Sequence, residues 1–556
     1  MNSRIIVDSF FNEHGLVKHH IDSYNRFLTE GIQKVINETG VLETEIKGGY
    51  KVKFGRVRIG KPITKEADGS VKEITPMEAR IRNLSYSAPV YLEMTTIKGE
   101  GEEEEEVDTV ELYIGELPIM LGSVACHLYG KSREELIEMG EDPEDPLGYF
   151  IINGSEKAVV AQEDLIPNRI LCEKVIKTGK PIYIAKVFST RHGFRALCTV
   201  EMQSDGRLNV TFPGMSGSVP LPIIMKALGA ESDSDIFKMI SEDPAITMQL
   251  VANILEVRET HNIISREDAL EYIGKRVAPG QPKDYRLRRA ETILCGYLLP
   301  HLGVEKKNLI EKCIYLGQMA RIAIELYLGQ RVEDDKDHYA NKRLKLAGEL
   351  MEDLFRYSFN QLVKDIKYQL ERQTLRNKTP SIQAAVRSDV LTERIRHAMA
   401  TGNWVGGRTG VSQLLDRTSY LSCVSQLRRL ISPLSRSQPH FEARDLHATQ
   451  WGKICPSETP EGPNCGLVKN LAIMCKITPS ERDDYLIELI ENTGLVKSVK
   501  DDYNDIIERL SKSEENIKMD VPVDEIENVE DNDTVTVCEI AEESIETTDL
   551  EEIDLE

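Results

Sequence analysis

The sequence predicts a multi-domain α+β protein, and three observations lead to this fold class. The chain has 556 residues, enough for roughly three or four domains that bury large cores. Short runs of alternating apolar and polar residues dominate its first part and predict β-strands. From Leu221 onward the apolar residues recur at helical spacing instead.

The N-terminal part is predicted to contain a short helix followed by strands and turns. Gly15–Glu30 carries apolar and aromatic residues at helical spacing, whereas Tyr50–Leu117 alternates as strands do. The acidic run Glu102–Glu106 is expected to be a solvated loop at a hairpin tip. Asn153-Gly154 lies between two apolar runs and predicts a tight hairpin, because both residue types tolerate positive φ.

The middle of the chain changes from strand to helix. Strand character continues over Ile182–Phe212, and helices are predicted over Leu221–Glu311 with a break at Ala278–Pro282. A long amphipathic helix is expected from about Asn341 to Arg372. After Thr401, glycine, proline, arginine and small polar residues dominate.

The net charge of −23 is concentrated at the C-terminus. Asp520–Glu556 contains 16 acidic residues and no lysine or arginine. Subtracting these leaves 92 − 16 = 76 acids against 69 bases, or −7 for the rest of the chain. We therefore expect a nearly balanced body that can carry local basic patches, followed by a disordered acidic tail.

The composition is typical of a cytoplasmic protein. The sequence has no run of 18 apolar residues and no signal-peptide pattern at its start. Its ten cysteines are spread singly and form no CxxC pair, so neither a zinc site nor any other metal site is predicted.

One stretch of this acidic chain is basic. Lys364–Lys453 holds 15 Lys or Arg and 7 Asp or Glu, a net charge of +8, and a second basic cluster covers Lys275–Arg289. Such stretches either neutralise nucleic-acid phosphates or form solvated helix faces. Composition leaves both interpretations open.

The segment Ile454–Gly466, ICPSETPEGPNCG, is the second distinctive feature. Its three prolines and two glycines exclude a helix or a regular central strand and predict a stiff loop. Glu458 and Glu461 within it could be an acid/base pair, but no nucleophile is nearby. The preceding ARDLHATQWG is either a fragment of a catalytic triad or a hydrogen-bonded scaffold that holds a loop against a partner, and the residues favour the scaffold.

Other catalytic signatures are missing from the sequence. There is no GxxxxGK[ST], GxGxxG, HExxH or GxSxG motif, and no aspartate triplet of the DxDxD kind that would hold two metal ions. The residues alone therefore predict a multi-domain protein with a basic, stiff-looped region that can hold nucleic acid.

The segment RDLHATQWGKICPSETPEGPNCGLVKNLA resembles the signature of the second-largest subunit of multi-subunit DNA-directed RNA polymerases, the bacterial β family. Further blocks resemble this family in the same order: GLVKHHIDSYNRFL, GYFIINGSEKAVVAQE, LPIIMKALGAESDSDIF, DDKDHYANKRLKLAGELM and GVSQLLDRTSYLSCVSQLRRL. The family's later regions do not follow. The chain thus resembles the N-terminal half, B″, of the archaeal subunit, and a natural split is expected.

The resemblance implies a fold of protrusion, lobe and fork. The expected boundaries are an N-terminal arm at 1–19, protrusion at 20–175 and 345–400, lobe at 176–344, fork at 401–478, and the start of an external region with the acidic tail at 479–556. In this arrangement the lobe is inserted into the protrusion.

The resemblance also implies the activity, the partners and the metal. The assembled nucleotidyltransferase would join nucleoside triphosphates on a DNA template, with this chain forming one side of the cleft. Its partners would be the B′ half, the largest and other polymerase subunits, the DNA template and the nascent RNA, with no membrane. This chain would bind no cofactor, because the largest subunit would hold Mg²⁺.

Individual positions follow from the same blocks. The residues expected to contact nucleic acid are Gln413, Arg428, Arg429, Arg436 and Arg444. The second fork loop is expected at Ser432–Ala443, through Ser432, Pro433, Ser435, Arg436, Gln438 and Ala443. Glu461 would lie near the nucleotide-addition site without completing a catalytic centre. Possible contacts to downstream DNA are Lys275, Arg276, Arg286 and Arg288.

Two other hypotheses compete with the polymerase subunit. One is a free-standing acidic interaction protein, or a nucleic-acid-binding protein with a polymerase-derived fold. The other is a hydrolase that uses His447 with Glu458 or Glu461. Stoichiometric co-purification with a large subunit that carries an Asp-rich metal site would distinguish the polymerase subunit from the first.

Overall fold

The computed structural model describes residues 3–493 apart from 47–48, 67, 100–104, 178, 231 and 480–482. The described residues divide into two compact units. The split unit contains those of Met1–Ile166 and Asp335–Ser480, and the inserted unit contains those of Pro167–Asp334 and Glu481–Glu556. The predicted disordered segment Asp520–Glu556 lies outside the described residues. Within the described part, no helix is both long and apolar enough to span a membrane.

The described strands range from 2 to 14 residues in length. They are β1 (Val41–Glu43), β2 (Tyr50–Ile59), β3 (Ile63–Lys65), β4 (Val71–Glu73), β5 (Ser87–Lys98), β6 (Glu105–Pro118), β7 (Phe150–Ile152), β8 (Ser155–Val159), β9 (Ala161–Leu165), β10 (Leu171–Lys177), β11 (Lys180–Arg191), β12 (Phe194–Met202), β13 (Leu208–Thr211), β14 (Val219–Pro220), β15 (Lys342–Lys345), β16 (Ser412–Leu414), β17 (Arg429–Ile431) and β18 (Val468–Asn470).

Helices precede, separate and follow these strands. They are α1 (Ser3–His14), α2 (Lys18–Arg26), α3 (Ile32–Thr39), α4 (Pro76–Ile81), α5 (Arg133–Glu138), α6 (Leu221–Leu228), α7 (Asp233–Ile240), α8 (Pro244–His261), α9 (Arg266–Val277), α10 (Lys283–Gly296), α11 (Leu309–Tyr327), α12 (Ala347–Leu375), α13 (Ile382–Ala385), α14 (Ser388–Thr401), α15 (Tyr420–Leu427), α16 (Phe441–Arg444) and α17 (Asp483–Asn492). This mixture of helices and sheets confirms the α+β prediction.

The core of the split unit lies between a sheet and a long helix. The sheet is antiparallel with the order β1-β2-β5-β6, and α12 packs together with α2, α3 and α14. Aromatic rings fill the contact. The ring centroid of Phe359 lies 5.5 Å from that of Phe54 and 5.8 Å from that of Phe355. The ring centroid of Phe355 lies 6.2 Å from that of Phe27. The predicted apolar stripe of α12 is therefore buried.

The predicted start of the long helix at Asn341 is wrong by six residues. Lys342–Lys345 is strand β15, which pairs with Gln162–Leu165 of β9, and α12 begins only at Ala347. Glu349 fixes this start by accepting a hydrogen bond from the Leu346 N–H at 2.9 Å. A helical turn at 342–345 would leave the edge of β9 without its partner.

Two local predictions have different outcomes. The Asn153-Gly154 hairpin is confirmed, since Ile152 pairs with Ser155 and both turn residues have positive φ, 49° and 75°. The loop prediction for Glu102–Glu106 is wrong for its last two residues, because Glu105 and Glu106 begin β6 and pair with β5. The other three residues of that run lie outside the described residues.

Two small sheets bring together distant parts of the split unit. One has the order β15-β9-β17-β18, in which β17 runs parallel to β9 and the other pairings are antiparallel. The other has the order β16-β8-β7. These sheets attach the Gly- and Pro-rich segment after Thr401 to the block around Gly148–Glu163, so they position the candidate site.

The inserted unit has its own core. Its antiparallel sheet has the order β10-β11-β12-β13-β14, and α11 packs against β11 and β12. The predicted break at Ala278–Pro282 is confirmed, because it separates α9 from α10. Lys312 of α11 is fully buried, and its Nζ donates to the carbonyl oxygens of Leu294 and Cys295 at 3.1 and 2.6 Å.

Candidate nucleic-acid interface

The candidate interface is built from two irregular loops between β17 and β18. We call Ser432–Ala443 the fork loop and Ile454–Gly466 the proline loop. The proline loop contains no strand and only one short 3₁₀ turn, Gly462–Asn464, as its three prolines predict. Its start is fixed to β18, because the Cys455 N–H donates to the Asn470 carbonyl at 2.9 Å.

Arg444 joins the two loops through carbonyl oxygens. Its Nε donates to Pro439 at 2.7 Å, and its Nη1 donates to Pro463 and Cys465, both at 2.8 Å. Its Nη2 makes two longer bonds, to Arg436 at 3.4 Å and Gln438 at 3.3 Å. The planar guanidinium suits such a fork of donors. Arg444 therefore holds the loops in place and has little donor capacity left for a phosphate.

Gly466 permits this close approach. It has a φ of +73°, and a Cβ at this position would overlap the backbone of Arg444. Thr459 closes the same turn, accepting from the Gly466 N–H and donating to the Val468 carbonyl, both at 2.9 Å. Glu458 accepts a hydrogen bond from the Ser425 hydroxyl, which ties the proline loop to α15.

A cleft of about 630 Å³ lies beside these loops. Its lining consists of Gln413, Arg429, Ile431, Arg436, Ser457, Glu458, Thr459, Pro460, Asn464, Val468, Lys469 and Asn470. Three of the five residues predicted to contact nucleic acid, Gln413, Arg429 and Arg436, thus share one cleft. That these three residues contact nucleic acid stays a prediction.

Three cations line the cleft, and one of them, Lys469, is paired with Glu163. Arg429 is half-buried and Arg436 is exposed, and neither side chain forms a hydrogen bond or ion pair with a described residue. Hydrogen bonds from Thr418 lower the pKa of Asp416, and the Arg429 charge lowers it further. Unpaired guanidinium groups beside a polar cleft are suited to binding phosphate oxygens.

Polar amides complete the lining. Gln413 donates to the Gly410 carbonyl at 3.0 Å, which leaves its second amide proton available. The Oδ1 of Asn464 is buried and accepts no hydrogen bond from a described residue. The second amide proton of Gln413 can donate to a sugar or phosphate oxygen without selecting a base, and Asn464 adds another polar side chain to the lining.

Arg428 occupies a different environment from its neighbour Arg429. Its side chain is buried and donates to the carbonyl oxygens of Leu16, Ala472 and Ile473 at 2.6, 2.7 and 3.1 Å. Burial lowers its pKa. Arg428 therefore attaches the fork to the N-terminal segment, and we leave it out of the proposed interface.

The remaining fork-loop positions are mostly exposed. Ser432 donates its N–H to the Leu467 carbonyl at 2.9 Å, and Ser435 and Ser437 share a hydroxyl hydrogen bond. Pro433 and Gln438 are exposed, and Ala443 lies in α16. The outer part of the loop thus presents small polar groups, the unpaired guanidinium of Arg436 and two exposed apolar side chains, Leu434 and Phe441.

The carboxylates do not form a metal site within the described residues. Glu461 is exposed and forms no hydrogen bond with a described residue. No group of three or more His, Cys, Asp or Glu in this part of the chain is placed to hold a metal ion. The described side chains therefore do not fit the Mg²⁺ of a polymerase.

His447 is not arranged as the hydrolase hypothesis requires. Its Nε2 is 2.8 Å from Asp335 Oδ2, and its Nδ1 is 2.6 Å from Thr449 Oγ1. Both ring nitrogens are therefore engaged away from Glu458 and Glu461. The geometry matches the hydrogen-bonded scaffold that we favoured from the sequence.

Comparison with known families decides the identity of this fold. A family model described as RNA polymerase beta subunit matches residues 15–393, and one described as RNA polymerase Rpb2, domain 3, matches residues 413–477. The chain belongs to the RNA polymerase beta subunit family. Our prediction of an RNA polymerase subunit is thereby confirmed.

Three curated relatives of this beta-subunit chain are archaeal RNA polymerase subunits. It is 74% identical over 499 residues to the DNA-directed RNA polymerase subunit Rpo2N of Methanococcus vannielii, covering 90% of this chain and 100% of the relative. The Rpo2N subunit of Methanocaldococcus jannaschii is 71% identical over 88% of this chain and 99% of its own length. The Rpo2 subunit of Saccharolobus solfataricus is 49% identical over 88% of this chain but only 43% of its own length.

The second basic cluster of this beta-subunit chain lies in the inserted unit and is mostly paired. The Nζ of Lys275 lies 3.0 Å from Glu271 Oε1, and the Nη2 of Arg286 lies 3.4 Å from the same oxygen. Arg276 donates to the Ser218 carbonyl at 2.8 Å and to the Tyr272 hydroxyl. Of the four predicted DNA contacts, Arg288 alone is exposed without a hydrogen bond or ion pair from its side chain to a described residue.

Sequence reasoning missed a buried ion pair beneath the cleft. Lys469 of β18 lies 3.0 Å from Glu163 of β9, and Lys342 lies 3.8 Å from the same carboxylate. Burial lowers the pKa of Lys469 and raises that of Tyr339, whose hydroxyl is 3.3 Å from Lys469 Nζ. A lysine within the apolar run GLVKNLA was the available signal.

Proposed function

We propose that this chain forms one side of the nucleic-acid cleft of an assembled DNA-directed RNA polymerase, with its fork loop at the downstream edge of the transcription bubble. The observation that best supports this is the pair of unpaired guanidinium groups, Arg429 and Arg436, on a cleft whose loops are fixed by Arg444. The relatives' printed name, DNA-directed RNA polymerase subunit, supports the same assembly.

The proposed mechanism is electrostatic and positional. Arg429 and Arg436 neutralise backbone phosphates and release counterions, which gives affinity without base selection. Gln413 and Asn464 add polar contacts from the wall of the cleft. The hydrogen bonds from the Arg444 guanidinium to backbone carbonyls order the loops before nucleic acid arrives, so little conformational entropy is lost on binding. Glu461 is proposed to face the nucleotide-addition site from the proline loop.

The domain assignment remains part of the proposal. We propose a protrusion at 20–175 and 345–400, a lobe at 176–344 and a fork at 401–478. The inserted unit, which interrupts the split unit in sequence, supports a lobe inserted into a protrusion. Arg288 is the lobe residue best suited to approach downstream DNA, because the other three predicted residues are already engaged within the unit.

The partners follow from the lengths of the relatives. The Saccharolobus subunit is more than twice as long as the part that this chain matches. We propose that a second polypeptide, B′, supplies the remaining part. We also propose that the largest subunit holds the Mg²⁺, and that the enzyme acts in the cytoplasm.

The test is the salt dependence of elongation complexes made with reconstituted enzyme. Arg429→Ala and Arg436→Ala should each weaken retention of nucleic acid, and each should reduce the slope of log affinity against log salt by about 1. Arg376→Ala is the matched control, because Arg376 is exposed in the same unit and its side chain has no described partner. If both variants keep the slope of the control, the proposed phosphate contacts are absent.

A further inference from the structure

Helix α8 of the inserted unit is apolar on two opposite faces. Its inner face contributes to the core of the unit through Ile246, Leu250, Ile254 and Val257. Its outer face exposes Met248, Val251 and Leu255, with 76%, 42% and 46% of their surfaces accessible. At 100° per residue these three side chains lie within about 60° of one another around the helix axis. We call these three residues the α8 stripe.

The α8 stripe differs from scattered surface apolar residues. Single exposed apolar side chains are common and need no explanation. Three large ones at positions i, i+3 and i+7 form a continuous ridge about 10 Å long. A helix that is apolar all round is normally covered on both sides, and this ridge has the spacing at which one helix packs against another.

Acidic side chains border the α8 stripe at both ends. Glu242 precedes α8 and Glu259 lies in its last turn, and both are exposed without a hydrogen bond or ion pair to a described residue. The neighbouring cation, Arg258, already pairs with Asp233 at 2.6 Å. Among the described residues, no positively charged side chain pairs with Glu242 or Glu259, which lie about 25 Å apart along the helix direction.

We propose that the α8 stripe docks an amphipathic helix of another polypeptide of the polymerase assembly. The partner helix would carry apolar residues at helical spacing and Lys or Arg near both ends. Helix-on-helix docking fits because α8 satisfies its own backbone groups and offers only side chains. This inference rests on the proposed function, which supplies the assembly in which the partner is found.

The test is photo-cross-linking within the purified, active polymerase assembly. Benzoylphenylalanine replaces Val251 in one preparation. In a second it replaces Val332, a matched control that is 85% exposed in the same unit. Val251 should cross-link to one other subunit, at a segment with the predicted apolar spacing and basic ends, and Val332 should not cross-link to that segment.

Variants in the assembled enzyme test the two parts of the recognition separately. Met248→Glu with Leu255→Glu should lower the Val251 cross-link about tenfold, because two apolar contacts are lost. Glu242→Lys with Glu259→Lys should lower it roughly threefold, since exposed charge pairs contribute less. RNA synthesis by each preparation reports that the enzyme remains folded and assembled.

Several results would overturn the inference. One is a cross-linking yield from Val251 no higher than that from Val332 in active enzyme. Another is a cross-link from Val251 to this chain itself, to a second copy, or to nucleic acid. A third is a cross-linked segment without basic residues. These outcomes leave the proposed function standing. Failure of this chain to enter an enzyme that makes RNA would instead overturn the proposed function, and this inference with it.

Discussion

Arg444 acts on the site through the carbonyl groups that it binds, and not through an unpaired charge. Its guanidinium spans from Pro439 in the fork loop to Pro463 and Cys465 in the proline loop. A lysine would keep the charge, but a single ammonium nitrogen cannot reach all of these carbonyls. The two properties of Arg444, charge and shape, can therefore be separated experimentally.

Both Arg444→Ala and Arg444→Lys should slow elongation by the reconstituted enzyme about tenfold, because each loses hydrogen bonds worth about 1 kcal/mol net apiece. Assembly should remain intact. Elongation rates on a fixed template measure the effect, with Arg376→Ala as the control. A normal rate for the lysine variant would mean that the charge alone matters.

The buried pair Lys469 and Glu163 supports the wall of the cleft. Lys469→Met should destabilise the full chain by about 3 kcal/mol, because Lys342, at 3.8 Å, is then the only positively charged partner of the buried Glu163 among the described residues. Adding Glu163→Gln should recover part of the loss, since the uncompensated charge is removed. Denaturant unfolding of the single and double variants measures this coupling. Additive losses would show that the two side chains do not interact.

Two neighbouring arginines show what the sequence alone could not predict about single residues. Arg428 and Arg429 were predicted to have the same role, yet Arg428 is buried against three carbonyls and Arg429 lines the cleft. Arg428 is the C-cap of α15, whereas Arg429 is the first residue of β17, so the chain changes from helix to strand between the two side chains. The sequence indicates two arginines, and only the packing of α15 and β17 determines which one lines the cleft.

The main error in the predicted secondary structure is the start of α12, and long-range pairing of strands explains it. The stripe of α12 was predictable because helical periodicity is local. The strand β15 just before it was not, because Lys342–Lys345 becomes a strand by pairing with residues more than 170 positions earlier. The hairpin at Asn153-Gly154 could be predicted for the converse reason, since its turn chemistry is contained in two adjacent residues.

Close contact between α12 and α2 gives a test of this packing. Gly348 lies so near Ser23 that a Cβ would overlap its carbonyl group. Gly348→Ala should therefore destabilise the split unit by about 1–3 kcal/mol. Gly296→Ala is the matched control, because the space around Gly296 at the end of α10 is open, and it should be neutral or slightly stabilising. Thermal unfolding that ranks the variants in the opposite order would contradict the packing.

For the whole molecule, net charge was a poor guide to which cations are available. The basic stretch Lys364–Lys453 carries +8, but Arg408 pairs with Asp164 and Arg417 pairs with Asp145 and Glu156. These partners lie more than 240 residues away in sequence. Composition thus located the basic region, and the long-range ion pairs show that part of its positive charge is already neutralised, whereas Arg429 and Arg436 are among the cations without a described partner.

Acid should destabilise the chain through its buried histidines. Burial lowers the pKa of His20 to about 4, whereas an unfolded histidine titrates near pH 6.5. Between these values the unfolded chain binds more protons, so the stability present above pH 6.5 is lost as the pH falls towards 4. His20 should contribute roughly 1–3 kcal/mol to this loss.

Denaturant unfolding at pH 7 and pH 5 measures that change, and His20→Gln is the informative variant. Its amide oxygen can accept from the Ala347 N–H, as His20 Nδ1 does at 3.4 Å, but it does not titrate. The variant should therefore lose less stability on acidification than the parent chain. An equal loss in both proteins would assign the acid sensitivity to other groups.

The most direct test of the central claim is cross-linking from DNA in an elongation complex. A photoreactive nucleotide is placed at the downstream edge of the bubble on a defined template, and the cross-linked peptides are mapped in the reconstituted enzyme. We predict cross-links within the fork loop, Ser432–Ala443, that weaken in Arg436→Ala and persist in Arg376→Ala. Cross-links confined to other parts of the chain, or absent from it while the enzyme makes RNA, would contradict it.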